Sequence, residues 1–192
     1  RNLLLLNGEA KWVSLPVKRF KLSQSIRETE FLDSSRWRAK LMRSFQQNYG
    51  KHIHFPAARD ILDLLEFQPG DTLSSFNEKV IRETAKRLGI RAHIHRAGDL
   101  SISGTRSARL ISICEHFDAE EYVSPVGSAE YLSEDGFADK TTISLKFQKY
   151  EPPLYFQKGS QEFVSHLSIV DVVANLGWDG ARQYILKGVM DE

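Results

Sequence analysis

The sequence predicts an α/β protein with an open, mainly parallel sheet that is flanked by helices and preceded by an N-terminal β-hairpin. Three observations support this class. Two strand-like segments flank the pair Asn7-Gly8, helical periodicity dominates the middle of the chain, and strand and helix patterns alternate after residue 90. A strand, a helix and a second strand within about 35 residues are typical of a βαβ unit, whose two strands are parallel.

We predict a single domain over residues 1–192, because a chain of this length can bury one sizeable core. The domain divides into four consecutive parts. They are an N-terminal hairpin (2–17), a helical part (34–88), a βαβ part (90–131), and a C-terminal strand with helices (141–188).

The hairpin prediction depends on local turn chemistry. Asn-Gly favours a two-residue type I′ turn because both positions need positive φ. The flanking segments, Asn2–Leu6 and Ala10–Val17, are therefore predicted to pair as antiparallel strands.

Capping residues and glycines set the expected helix boundaries. The predicted starts lie at Ser34 or Ser35, at Pro56, at Ser75 with Glu78 or at Asp71 after the turn Pro69-Gly70-Asp71, at Thr105, and at Ser168 with Asp171. The predicted ends lie near Asn48, Leu65, Leu88, Phe117 and Asn175, and a last helix is expected from Asp179 to Lys187.

Three segments read as strands after the helical part. Ile90, Ala92 and Ile94 alternate with polar residues, "EEYVS" (120–124) is short and β-prone, and residues 141–147 alternate again. The first two strands flank the helix at 105–117, so we expect them to be parallel neighbours.

Two loops follow these parallel strands and should lie side by side at the carboxyl edge of the sheet, where open α/β sheets bind ligands. Both are rich in glycine and hydroxyl residues, and helix N-termini favour anions. The predicted ligand residues of the loops are Ser103, Gly104, Thr105, Ser124, Gly127 and Ser128, with Arg106 or Arg109 as an additional cation. The alternative is that such residues are simply what short βα loops contain.

His93 and His95 would share one face of the first strand, where either could act as a general base. No carboxylate cluster lies nearby in sequence, so no metal site is predicted, and a solvated polar face is the alternative. Cys114 falls on the apolar face of a helix, and His116 points away from it. This predicts a buried structural cysteine, not a nucleophile.

Composition excludes some classes of function. The net charge of +1 disfavours a nucleic-acid binder, and the single cysteine excludes an intramolecular disulfide and a multi-cysteine zinc site. No apolar run is long enough for a membrane span, and no signal-peptide pattern is seen. We therefore expect a cytoplasmic protein.

The order of motifs resembles the WbqC-like family of bacterial proteins, which is associated with surface polysaccharide and O-antigen biosynthesis. The resembling segments run through nearly the whole chain. They are "KWVSLPV", "RWRAKLMRSFQQNYG", "LSSFNEKVIRETAKRLGI", "GTRSARLISICEHFDAEEYVSPVGSAEYL" and "HLSIVDVVANLG". Family members usually begin with a further block rich in Gln, Pro and Tyr, which we expect to be missing upstream of Arg1.

The resemblance implies a group transferase that acts on a nucleotide-activated amino sugar or on an acyl or aminoacyl donor. By family position it adds Tyr122 and Tyr131 to Gly127 and Ser128 as ligand residues, and Tyr131 would stack on a sugar or base. The expected partner is a small molecule with an anionic group, such as a nucleotide sugar or an acyl thioester. The resemblance does not identify a cofactor or decide whether the protein is an enzyme, and it allows a homo-oligomer. The alternative function is a non-catalytic accessory protein that binds a partner of the same pathway.

Overall fold

A computed structural model describes residues 2–18, 21, 23–32, 35–64 and 71–189. The chain forms two compact units. The first unit comprises Arg1–Arg91 and Pro152–Leu186, and the second comprises Ala92–Glu151 and Lys187–Glu192. The single domain over 1–192 stays a prediction. The cap assigned to Ser34, the helix end at Leu65 and the turn at Pro69-Gly70 lie outside the described residues.

The N-terminal hairpin is confirmed. Strand β1 (Asn2–Leu6) pairs antiparallel with β2 (Glu9–Val13). Asn7 and Gly8 connect them with φ of 55° and 77°, the positive values that the turn requires. The second strand ends at Val13, four residues before the predicted end at Val17, which instead forms an isolated bridge with Phe31.

Three helices of the first unit lie close to their expected positions: α1 (Ser35–Tyr49), α2 (Phe55–Asp63) and α3 (Leu73–Arg87). The predicted cap of α3 at Ser75 with Glu78, or at Asp71, is wrong. The N-cap is Thr72, whose Oγ1 accepts a hydrogen bond from the Ser75 amide at 3.2 Å while the Ser75 hydroxyl accepts one from the Thr72 amide at 3.0 Å. The extended backbone of Thr72 permits this capping box. Glu78 takes no part in it and forms an ion pair with Arg82.

Helix α7 (Ile169–Gly188) joins the two predicted C-terminal helices across a kink at Gly177, where φ is 70° and ψ is −179°. Ser168 caps its start, because its hydroxyl accepts a hydrogen bond from the Val170 amide at 3.4 Å. The predicted capping box with Asp171 is wrong, since the Asp171 carboxylate is fully buried and contacts two tyrosines instead.

The apolar core of the first unit is formed by the hairpin, helices α1 and α2, the end of α3, and α7 on both sides of its kink. Its buried members are Leu4, Phe45, Tyr49, Phe55, Ala58, Ile61, Leu62, Leu88, Val170, Val172, Val173, Ala174 and Ala181.

No helix in the described part of the chain is long and apolar enough to cross a membrane.

The strand predicted around Ile90–Ile94 is wrong. Residues 90–96 form no strand, and Ile90 is 48% exposed while Ala92 is also exposed. Alternation stabilises a strand only if one face is buried, and Ile90 and Ala92 do not lie on a buried face.

The second unit nevertheless contains a parallel pair. Strand β3 (Glu121–Pro125) pairs in parallel with β4 (Ser144–Gln148), and Glu121 is opposite Ser144. A 3-10 turn (126–128) and two short helices, α5 (Ala129–Glu134) and α6 (Phe137–Lys140), make the crossover. Helix α4 (Arg106–His116) precedes β3. The α/β class is thus confirmed, with a parallel sheet of only two strands and helices around it.

Candidate functional site

Two serines are in hydroxyl contact at the end of β3: Ser124 lies in the strand, and Ser128 lies in the turn after it. Ser124 is 1% exposed, and its Oγ lies 2.6 Å from the Oγ of Ser128. The Ser128 hydroxyl donates to the Pro125 carbonyl at 2.5 Å, so the Ser124 hydroxyl must donate to Ser128. Pro125 is extended and the chain then turns sharply, which returns Ser128 over the strand end.

Gly127 lies at the tip of this loop, and no atom lies within 4 Å of the position where a Cβ would be. The surface over Gly127 is therefore open. Solvent reaches the Gly127 backbone and part of Ser128, whereas Ser124 is covered.

The two tyrosines assigned to this site anchor the loop to the core of the second unit. Tyr122 stacks on Phe137 with ring centroids 5.7 Å apart. Both Tyr122 and Tyr131 are partly buried against the apolar cluster that includes Leu132. Contacts with protein therefore cover much of both rings.

The loop before α4 is held by Arg109. Its guanidinium donates to the carbonyl of Ile102 at 2.6 Å and to that of Ala97 at 2.9 Å. Gly104 has a φ of 99° and packs against the Arg109 backbone, so the loop closes over the start of the helix. The Arg109 guanidinium, which was predicted to contact a ligand, thus already donates to two backbone carbonyls.

An internal carboxylate occupies the N-terminus of α4. Asp135 accepts hydrogen bonds from the Ser107 hydroxyl at 2.7 Å, the Ser107 amide at 3.3 Å and Arg106 Nε at 3.0 Å. The Ser107 hydrogen bond, followed by Arg106, lowers the pKa of Asp135 against the opposing effect of desolvation. Sequence reasoning missed Asp135, because it lies 28 residues from Ser107 and nothing local marks it as a cap.

His93 and His95 are exposed, and their ring centroids are 6.5 Å apart. His95 packs against Phe117 at 4.6 Å. The predicted strand, which would have placed both rings on one face, is not formed. That His93 or His95 acts as a general base stays a prediction. The described residues contain no group of three or more His, Cys, Asp or Glu side chains arranged to hold a metal ion.

Cys114 is 7% exposed, and burial raises the pKa of its thiol. The prediction of a buried cysteine is confirmed.

The two predicted loops do not follow paired strands. The neighbour of β3 is β4, so the segment after β4, residues 149–151, lies beside the Ser124–Ser128 loop at the carboxyl edge. The assignment of Ser103, Gly104 and Thr105 to the same ligand therefore stays a prediction without its original strand geometry.

A second polar cluster lies in the core of the first unit, and sequence reasoning missed it. Asp171 is fully buried and accepts hydrogen bonds from the phenols of Tyr49 at 2.9 Å and Tyr155 at 2.7 Å, and from the Asn175 amide at 3.2 Å. The Tyr49 hydroxyl accepts from the Leu5 amide at 2.9 Å. Burial, and then the Asp171 carboxylate, raise the pKa of both tyrosines, so they act as neutral donors.

His52 lies beside this cluster, with its ring 5.0 Å from that of Tyr49. The side chain is 7% exposed, and Nδ1 lies 3.1 Å from the Tyr49 carbonyl. Burial lowers the pKa of His52, against an opposing contribution from Asp171.

Comparison with known proteins identifies the family. The profile of the WbqC-like protein family matches residues 1–183. The chain belongs to the WbqC-like family. This WbqC-like chain is also 26% identical over 179 residues to "Uncharacterized protein Rv1507c" of Mycobacterium tuberculosis, covering 92% of this chain and 77% of that protein. No solved structure matches the chain at a significant level.

Proposed function

We propose that this WbqC-like protein is a cytoplasmic group transferase of bacterial surface polysaccharide biosynthesis, O-antigen included. Its substrate would be a nucleotide-activated amino sugar or an acyl or aminoacyl donor. The pathway is proposed from the association of the WbqC-like family with surface polysaccharide biosynthesis, and the chain matches that family over residues 1–183. The observation that carries the ligand site is the Ser124–Ser128 hydroxyl pair at the carboxyl end of β3.

The ligand's anionic group would lie over Gly127, where the surface is open. The half-buried Ser128 hydroxyl can rotate to donate to it, because it now donates only to the Pro125 carbonyl. His93 or His95 would serve as the general base, and Tyr131 would contact the sugar with its exposed part. Ser103, Gly104, Thr105 and Arg109 belong to the same proposed site.

A titration tests this proposal. Uridine or thymidine diphosphate sugars and acyl thioesters are added to the 15N-labelled protein while backbone amide shifts are followed. We expect saturable shifts at residues 103–105 and 124–128. Ser128→Ala should weaken binding, whereas Ser133→Ala, an exposed serine on α5, should not. Titrations that leave both loops unshifted would refute the proposal.

One observation favours a second function, a non-catalytic accessory protein. Val123 precedes Ser124 in β3 and Val126 lies within the Ser124–Ser128 segment, and they are 54% and 57% exposed. Exposed apolar side chains close together often mark a protein contact. This alternative predicts no shifts with small molecules, and it predicts that Val126→Lys weakens binding to enzymes of the same pathway in biolayer interferometry.

A further inference from the structure

The positive charge of the protein is concentrated in its first unit and the negative charge in its second. The first unit carries 19 Lys and Arg residues against 13 Asp and Glu, a net charge of +6. The second unit carries 7 against 12, a net charge of −5. Unlike charges on two units of one chain allow the basic unit of one copy to attract the acidic unit of another.

Helix α1 of the first unit carries an exposed row of cations. Arg36, Lys40 and Arg43 are exposed, and their spacing of four and three residues places them on one helix face. None of the three side chains forms a hydrogen bond or an ion pair within the part of the chain that the structure describes. The helix itself contains no acidic residue. We call this row the cationic stripe.

Local electrostatics do not explain the cationic stripe. Cations near a helix N-terminus are repelled by the partial positive charge of the helix dipole, and Arg36 lies in the first turn of α1. Helix α3 of the same unit shows the favourable arrangement. Its Arg82 pairs with Glu78 at 2.8 Å, and Lys86 and Arg87 lie in its last turn. The stripe thus breaks a local rule that α3 obeys, which points to a role outside the fold of the unit.

The second unit carries a matching negative surface at the C-terminus of α4 and just after it. Glu115, Asp118 and Glu120 are exposed, and none of them forms an ion pair with the described residues. Acidic side chains are unfavourable at a helix C-terminus, because the free carbonyls there already present partial negative charge. Residues 115–120 are called the acidic segment below.

Apolar side chains lie next to both sets of charges. Phe117, within the acidic segment, is 42% exposed. Ala39 is exposed and lies three residues after Arg36 and four before Arg43, so it is next to both on the helix surface. A small residue at this position leaves space for an aromatic ring, and the two guanidinium groups beside it suit the face of such a ring.

We propose that the cationic stripe of one copy docks on the acidic segment of a second copy of this chain. The cations of the stripe pair with the carboxylates of the segment, and Phe117 packs against Ala39. A second copy fits because the two surfaces have complementary charges and every copy carries both. Exposed ion pairs are individually weak and are screened by salt, so we expect a weak and reversible association.

This interface goes beyond the function proposed above, because neither surface contains a residue of the proposed ligand site. Either proposal can therefore fail without the other. Sedimentation velocity of the whole chain tests the association. At about 100 µM protein, we expect association at about 20 mM salt and a monomer at about 500 mM salt. A protein that is monomeric at both salt concentrations overturns the proposal, even if it binds an acidic segment of another protein. Association that does not depend on salt overturns it as well.

An exchange of charges separates docking from a loss of the fold. The stripe variant Arg36→Glu, Lys40→Glu, Arg43→Glu and the segment variant Glu115→Lys, Glu120→Lys should each weaken self-association at least about tenfold. A mixture of the two variants should associate again, because the reversed stripe of one meets the reversed segment of the other and the native surfaces also meet. A mixture that stays monomeric overturns the pairing.

Two exposed lysines on helices of the first unit give a matched pair of single variants. Lys40→Glu removes one cation of the stripe and should weaken association at least about fivefold. Lys79→Glu reverses the same charge on α3, outside the stripe, and should change association less than about twofold. Equal losses in the two variants would show that the net charge of the unit, and not the stripe, controls association, and this result overturns the docking.

Thermal denaturation shows that the stripe is not needed for folding. Arg36→Glu places a carboxylate in the first turn of α1, where the helix dipole favours it. We expect this variant to lose association while its thermal midpoint stays the same or rises. A lower midpoint would assign a structural role to Arg36 and overturn its role in docking.

Discussion

Each unit of the protein contains a carboxylate that accepts several hydrogen bonds, and the two carboxylates are held in different ways. Asp171 of the first unit is fully buried and takes its hydrogen bonds from neutral groups, chiefly the phenols of Tyr49 and Tyr155. Asp135 of the second unit is one-fifth exposed and is held by a cation, Arg106, together with Ser107.

The difference follows from burial. Removing an arginine from water to pair it with Asp171 would require a second desolvation, whereas phenols and a helix N-terminus stabilise the carboxylate with partial charges. Asp171 is the third residue of α7 and lies in its first turn. At Asp135 the Arg106 side chain is 59% exposed, so the guanidinium stays hydrated while it pairs with the carboxylate.

The comparison predicts its largest effect at Asp171. Asp171→Asn leaves at least one buried phenol without an acceptor and removes the charge that both phenols stabilise. We expect a loss of about 4 kcal/mol in the free energy of unfolding, measured by urea denaturation. Asp135→Asn is the matched change and should lower the free energy of unfolding clearly less than Asp171→Asn does. Equal losses would show that burial does not distinguish the two clusters.

Two glycines give the next largest contrast. Gly177 of α7 has a φ of 70° with ψ of −179°, and its Cβ position lies 3.1 Å from the ring of His54. Gly177→Ala should therefore cost about 2 kcal/mol of stability. Gly127→Ala meets open space and no positive φ, so it should change stability by less than about 0.5 kcal/mol. Thermal denaturation of both variants checks this, and a destabilised Gly127→Ala would contradict the open loop.

Local signals predicted the parts of the fold that local chemistry determines. Asn7-Gly8 specifies its own turn, and Gly177 interrupts its helix whatever lies around it. The strand at Ile90–Ile94 failed because alternation says nothing about whether a covering face exists. The cap at Thr72 was missed because Ser75 with Glu78 has the same spacing as the true pair.

The polar clusters could not be predicted, because their partners are far apart in sequence. Tyr49 lies 122 residues from Asp171, and only the packing of α1 on α7 brings them together. From the sequence, Asp171 was interpreted as part of a helix cap, and His52 as part of an aromatic loop. Of the candidate site, only the Ser124–Ser128 loop was visible in advance, since its residues are contiguous.

The smallest predicted effect is a difference in pH dependence. The folded pKa of His52 lies below its usual value of 6.5, chiefly because of burial, so the unfolded chain takes up a proton first as pH falls. Stability should therefore decrease as pH falls from neutral through 6.5 and level off below the folded pKa. The folded pKa of Asp135 lies below 3.8, so its contribution is present above that value and is lost only as pH falls below it. Urea denaturation midpoints measured across the pH range separate the two losses of stability. His52→Gln should remove the loss around pH 6.5, and Ser107→Ala should weaken the loss below pH 3.8. If the loss around pH 6.5 persists in His52→Gln, it belongs to another group.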